Sequence, residues 1–259
     1  MEIKLLEKKS NKIVFVLKGI DNVFANTLRR IMSVEVPVLA IDEVNFYKNS
    51  SALYDEIVAH RLGLIPLKTD LKSYELREEC SCKGEGCAKC QLNFKLNCNG
   101  PCTVYSKDLK SQDPKIKPIY DDIPIVKLLK DQQLEIEATA KLGKGREHIK
   151  FSPALVFFRN YPEIIIKKDI NASKCIKSCP KDLFEMKDKK LSIKDVTKCD
   201  LCEACVEACP DAVEVKGSDK DFIFEIESWG QLTPKEIFEE SLNVFDNKLD
   251  DFSKEIKKL

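Results

Sequence analysis

Cys199-Asp-Leu-Cys202-Glu-Ala-Cys205-Val-Glu-Ala-Cys209-Pro210 reads C-x2-C-x2-C-x3-C-P, the spacing of a bacterial iron–sulfur cysteine run. Three thiolates at i, i+3 and i+6 can turn inward from one tight loop and hold three corners of a cubane. The fourth cysteine of such a run serves a second cluster, so a partner run is expected elsewhere. Cys175-Ile-Lys-Ser-Cys179-Pro180 supplies half of one; Asp169 and Ala172 stand where its first two cysteines belong. One ligand set is therefore complete: Cys179, Cys199, Cys202 and Cys205. Cys175 and Cys209 are left over from the missing cluster and are expected close together, as a disulfide or a neighbouring thiol pair. Either a four-iron cluster or a three-iron form held by Cys199, Cys202 and Cys205 suits this set.

Upstream, Cys80-Ser-Cys82-Lys-Gly-Glu-Gly-Cys87-Ala-Lys-Cys90 packs four more cysteines into one loop, with Gly84 and Gly86 permitting a fold-back. Four thiolates close a tetrahedral zinc shell and leave no open position for catalysis. The reading is a structural zinc loop, with a metal-free loop as its rival. Cys98 and Cys102 flank Gly100-Pro101 and read as ordinary thiols at strand ends, open to pairing.

The chain has 259 residues, 43 Lys+Arg against 43 Asp+Glu, and 12 cysteines. Zero formal charge argues against gripping nucleic acid through the overall field, and no direct sequence-specific DNA binding is expected. There is no apolar run near the ~20 residues that cross a bilayer, and the amino terminus carries no signal-peptide pattern. A cytoplasmic protein with no membrane association is expected, and in that compartment so many cysteines point to metal rather than to a disulfide framework.

Alternation marks strands at 2–7, 12–18, 40–47, 91–98, 102–106, 123–128, 133–142, 148–158 and 221–227. Asp21 is the expected N-cap of a helix whose Phe24, Leu28, Ile31 and Met32 share a face and which ends by Pro37. Ser51 is the expected cap of a short helix with Leu53, Ile57 and Leu62 on its face, stopped by Gly63. Thr233-Pro234-Lys235-Glu236 is a capping box with proline at the first helical position. Beyond it Phe238, Leu242, Phe245, Leu249, Phe252, Ile256 and Leu259 step by alternating fours and threes. That seam either packs on the chain's own sheet or also meets a helix of another chain, since a 3.5 period is the coiled-coil pattern.

No phosphate loop, dinucleotide fingerprint or nucleophile motif occurs around His60 or His148. Asp55-Glu56 reads as a solvated helix start or as a partner for Arg61. No catalytic residue is assigned.

Six segments carry a family resemblance: Phe24-Ala-Asn-Thr-Leu-Arg-Arg-Ile-Met32, Glu35-Val-Pro37, Ala40-Ile-Asp-Glu-Val44, Asp55-Glu-Ile-Val-Ala-His-Arg-Leu-Gly-Leu-Ile-Pro-Leu67, Gly145-Arg-Glu-His-Ile-Lys-Phe-Ser-Pro153 and Glu227-Ser-Trp-Gly-Gln-Leu-Thr-Pro234. In combination and order they resemble the D-like subunits of archaeal DNA-directed RNA polymerase. That family is similar to the third-largest subunit of eukaryotic polymerase II and to the N-terminal domain of bacterial alpha.

The resemblance implies an α+β fold with a split alpha-like dimerisation domain (1–39 and 222–259). A β-rich insert domain (40–168) bears the zinc loop at 80–90, and a ferredoxin-like iron–sulfur insert covers 169–221. It implies a non-catalytic assembly subunit of DNA-directed RNA polymerase, a nucleotidyltransferase whose chemistry lies on other chains. The implied partners are a small L-like subunit, the second-largest subunit and other small polymerase subunits. Phe24, Leu28, Phe238, Leu242, Phe245, Leu249 and Phe252 are the expected pairing surface; Arg29 and Arg30 are expected to dock the second-largest subunit, since arginine suits interface carboxylates. The competing readings are a ferredoxin-like electron carrier and a redox-sensing assembly factor.

Overall fold

The computed structural model describes every residue except 168–171, 189 and 259, so Asp169 and Leu259 of the sequence reading lie outside the described residues. In chain order the elements are β1 (Glu2–Lys8), β2 (Lys12–Lys18), α1 (Asn22–Val34), β3 (Val38–Asn49), α2 (Asp55–Gly63), β4 (Gln91–Asn99), β5 (Cys102–Tyr105), β6 (Lys110–Ser111), β7 (Pro124–Leu128), β8 (Gln133–Gly143), β9 (Ala154–Ile166), α3 (Ala172–Ser178), β10 (Phe184–Lys187), β11 (Lys190–Ile193), α4 (Ala204–Ala208), β12 (Val213–Ser228) and α5 (Pro234–Ile256). The chain divides into two compact units.

The first unit comprises Met1–Lys8, Ile13–Thr27 and Phe157–Glu225. Its sheet runs in the order β1-β2-β12-β9. Val14, Val16 and Ile223 are buried together, Phe15 stacks on Phe224 at 5.5 Å, and Phe158 meets the Phe222 ring edge-on, also at 5.5 Å. The cysteine-rich lobe has its own core, in which Ile164 and Ile166 of β9 and Val213 and Val215 of β12 pack with Phe184, Leu191 and the thiols. Two strands of the sheet thus run on into the lobe and form one wall of it.

The second unit comprises Lys9–Lys12, Leu28–Val156 and Ile226–Leu259. Its sheet has the order β3-β8-β4-β6. Leu134, Ile136, Ala138, Ala140 and Leu142 of β8 alternate inward against Leu92, Phe94 and Leu96 of β4, and Val58 and Leu62 of α2 join the same core. β5 and β7 form a separate antiparallel pair.

Some element boundaries differ from the sequence reading. Asp21 does cap α1: its Oδ1 accepts the Phe24 N–H at 2.7 Å. Ser51 caps nothing. α2 starts after Tyr54 with no side-chain cap, and the Ser51 hydroxyl is turned onto the Asn49 side chain at 2.7 Å. Ile57 faces solvent and Val58 takes the inward position instead. Arg61 does not pair with Asp55 or Glu56; it donates to the Ile125 carbonyl at 2.7 Å. The 148–158 strand begins only at Ala154, because residues Ile149–Phe151 form a 3-10 turn that the His148 side chain caps. β12 begins at Val213, well before the expected 221.

Candidate metal centres

The 80–90 loop is built from turns, with Gly84 and Gly86 at φ +86° and +95°, a region that glycine enters without the Cβ penalty. This reversal brings Cys80, Cys82, Cys87 and Cys90 into one group whose ligand atoms all lie within 4.8 Å of one another. Sγ–Sγ separations are 3.5 Å for Cys80–Cys87, 3.6 Å for Cys82–Cys90 and 3.9 Å for Cys87–Cys90. Four sulfurs at a Zn–S bond length of ~2.3 Å stand about 3.8 Å apart in a tetrahedron. The donor set and its spacing therefore fit one tetrahedral ion of the zinc type.

The thiols divide unequally. For Cys82 the Gly86 N–H is the largest influence, and with hydrogen bonds from Cys80 and Cys90 it outweighs desolvation and brings the thiol down to about 6. For Cys80 the Cys82 N–H favours the thiolate, but desolvation and hydrogen bonds to Cys82, Cys87 and Cys90 push it up to about 12. One easily ionised sulfur beside two thiols, Cys80 and Cys90, that are pushed up is a group that a cation would deprotonate on binding. Arg77 fixes the loop from outside: its Nη2 donates to Gln91 Oε1 at 2.8 Å, next to Cys90, and its Nη1 to Glu43 of β3 at 3.4 Å.

In the other unit, Cys179, Cys199, Cys202 and Cys205 line a single cavity, together with Ile164, Leu183, Phe184 and Val215. Their sulfurs are not drawn into a group as tight as the zinc loop's among the described residues. A cubane places iron and sulfide atoms between its cysteines and so takes a wider ligand set than a single ion does. Leu201 and Glu203, on either side of Cys202, both sit at φ +60°. Each such non-glycine residue costs about 1–3 kcal/mol, and here the two reverse the chain around Cys202. Burial pushes the Cys199 and Cys205 thiols up, with neighbouring cysteines adding to it. Cys202 is exposed at the rim.

Cys175 and Cys209 are both buried, form no disulfide, and hydrogen-bond to each other. Burial, then that hydrogen bond, raises Cys175 to about 12, so it holds its proton at neutral pH. Cys98 and Cys102 form no disulfide either.

The α5 capping box forms: Thr233 Oγ1 accepts the Glu236 N–H at 3.3 Å and Glu236 accepts from the Thr233 N–H at 2.8 Å. The buried face of α5 is Pro234, Ile237 and Ser241. The apolar seam runs along the flank of that face: Leu242, Leu249, Phe252 and Ile256 are 37%, 48%, 63% and 51% exposed, and Phe238 and Phe245 are half-buried. Of the α1 residues, Leu28 is buried, Phe24 and Arg29 are half-buried and Arg30 is exposed.

An open groove of about 530 Å³ in the second unit was missing from the sequence reading. Arg29 lines it beside Leu64, Tyr120, Ile149, Leu155 and Trp229. The lining, Arg29 included, comes from five separate stretches of chain, so periodicity within any one segment gives no sign of it; the exposed Trp229 and the run Leu64-Ile65-Pro66 are the only local hints. No helix among the described residues is long and apolar enough to cross a membrane.

The chain thus combines a four-cysteine loop that could hold a metal ion with a cysteine lobe of 4Fe-4S type, and its relatives define the class. Residues 34–154 match the RNA polymerase Rpb3/RpoA insert domain, and residues 166–210 match the 4Fe-4S dicluster domain. The DNA-directed RNA polymerase subunit Rpo3 of Archaeoglobus fulgidus is 42% identical over all of this chain and 98% of its own length. The Rpo3 of Methanosphaera stadtmanae is 40% identical over 96% of each chain, and that of Pyrococcus furiosus 38% identical over 100% and 98%. The chain belongs to this archaeal Rpo3 family of DNA-directed RNA polymerase subunits.

Proposed function

We propose that the chain acts in the cytoplasm as a non-catalytic assembly platform of DNA-directed RNA polymerase. Residues 1–39 and 222–259 form the dimerisation domain and pair with a small L-like subunit. Residues 40–168 form the insert domain, with zinc held by Cys80, Cys82, Cys87 and Cys90. Residues 169–221 form the ferredoxin-like domain, with one four-iron or three-iron cluster on Cys179, Cys199, Cys202 and Cys205. Bound, each metal group supplies a crosslink in a lobe too small to stabilise itself by burial alone. Nucleotide addition takes place on the large subunits.

The observation that carries this reading is the α5 seam. A stripe of Leu242, Leu249, Phe252 and Ile256 is left largely uncovered by a chain that buries Ile237 and Ser241 on the same helix. Each such side chain is stabilised by about 1.5–3 kcal/mol when fully buried, which a partner helix with a matching seam provides. The Arg29 groove, the exposed Ile57 of α2 and Leu64 just after that helix form a second surface, suited to the second-largest subunit.

The test is co-expression of the chain with the small subunit, followed by affinity capture. Leu249→Asp with Phe252→Asp is expected to abolish capture while leaving the unfolding transition of the chain alone within a degree or so. Undiminished capture would refute the seam as the pairing surface.

A further inference from the structure

We propose that Arg159 is the positioning residue and countercharge of the iron–sulfur centre. This inference rests on Cys179, Cys199, Cys202 and Cys205 being its ligands. Arg159 lies on β9, the strand that runs from the sheet into the cysteine lobe. Its Nη2 donates to the Thr197 carbonyl at 2.7 Å, two residues before Cys199. Its Nε is buried and has no hydrogen-bond partner. Among the described residues no carboxylate pairs with it.

Three lysines of the same lobe, by contrast, do have carboxylate partners. Lys181, which lines the cavity, has Asp200 at 3.9 Å; Lys194 has Asp182 at 2.7 Å; Lys198 has Asp195 at 3.8 Å. A part-buried guanidinium without a counterion is costly unless an anion lies close by. Four thiolates around an iron–sulfur core carry net negative charge, and the chain from Thr197 to Cys199 spans at most about 7 Å. The missing counterion is therefore the cluster itself.

The same side chain also sets the geometry of the ligand loop. Arg159 fixes the segment just before Cys199. Just after it, Leu201 packs on β12 at Gly217, where an added Cβ would lie 3.2 Å from the Leu201 methyl and 2.8 Å from Asn160. The loop is thereby held to both strands, on either side of its first ligand. Cluster potential responds to net charge and hydrogen bonding around the site, so Arg159 raises it by favouring the more negative, reduced state.

The experiment uses the full-length chain, reconstituted anaerobically with iron and sulfide, as wild type, Arg159→Lys and Arg159→Met. The readouts are iron content, a mediated redox titration with dithionite as electron donor, and the rate of bleaching in air. Arg159→Met is expected to shift the potential downward and to bleach several-fold faster. Arg159→Lys, which keeps the charge and loses the planar fork, is expected to restore most of the potential and only part of the bleaching resistance. Iron retained by Lys but lost by Met would support the charge role equally. A Met variant with wild-type iron, potential and bleaching rate would overturn the inference and leave the ligand assignment standing. Iron lost from both variants, with the same fall in melting temperature in the iron-free chains, would make Arg159 a staple of the fold and overturn it too. A wild-type chain that takes up no iron would end the ligand assignment and this inference together.

Discussion

Asp42 shows how much one side chain can hold. Its carboxylate receives Lys150 Nζ at 2.6 Å and Lys141 Nζ at 2.8 Å. Burial alone would raise its carboxyl, but the two ammonium groups outweigh it and hold the group below its ordinary value of 3.8. A depressed carboxyl contributes stability that is present above the ordinary value and lost as pH falls through the lower, folded one. Thermal unfolding measured between pH 5 and pH 2 is therefore expected to show a steeper acid loss for wild type than for Asp42→Asn, whose amide does not titrate. Equal slopes would remove Asp42 from the acid response. Gly143 is set by close approach instead: a Cβ there would lie 2.7 Å from the buried Phe151 ring. Gly143→Ala is expected to cost about 1–3 kcal/mol through overpacking, seen as a melting temperature lower by several degrees; an unchanged value would mean that Phe151 moves aside freely. Neither residue was legible as structural in the sequence, because Asp42 pairs with lysines about a hundred positions away and Gly143 ends a regular alternation. Asp21 was legible, because a cap satisfies N–H groups within its own first turn.

Elements were legible where a local pattern determines them. The α5 capping box, its proline and its seam were all readable, and the structure forms the box. Thr233→Ala is expected to cost about 1 kcal/mol, measured by chemical denaturation; no change would mean that Pro234 and packing alone fix the helix start. Ser51 misled because Asn49 competes for the same hydroxyl in a turn. β12 was longer than its alternation suggested. Its Gly217-Ser-Asp-Lys220 stretch is polar and weakly strand-forming, yet tertiary contacts hold it: Asn160 Nδ2 donates to the Ser218 carbonyl at 2.8 Å, and the Gly19 N–H donates to Asp221 at 3.1 Å. On the same strand Glu214 sits between Lys167 and Lys216, whose hydrogen bonds lower it to about 2. Long-range pairing of this kind overrides propensity, and a single sequence does not show it.

Across the whole molecule, the cysteine spacing located both cysteine clusters, while the Arg29 groove emerged only from the folded chain. Spacing works for such cysteine sets because most of each set lies within one loop; a groove assembled from five segments has no local period. The proposed zinc and iron–sulfur centres are expected to be chemically separable. A zinc-selective chelator is expected to destabilise the insert unit while the iron–sulfur absorption persists, and air oxidation is expected to do the reverse. Simultaneous loss of both under either treatment would contradict two independent centres.

The apolar seam of α5 is proposed to be completed by a second, smaller chain. Size-exclusion chromatography with light scattering tests it most directly, on the 29.5 kDa chain alone and mixed with an equal amount of the small L-like subunit. The account predicts one peak at the summed mass of a one-to-one pair, with the Leu249→Asp, Phe252→Asp chain eluting separately from the small subunit. Two peaks at the separate masses for the wild-type mixture, at micromolar concentration, would contradict it.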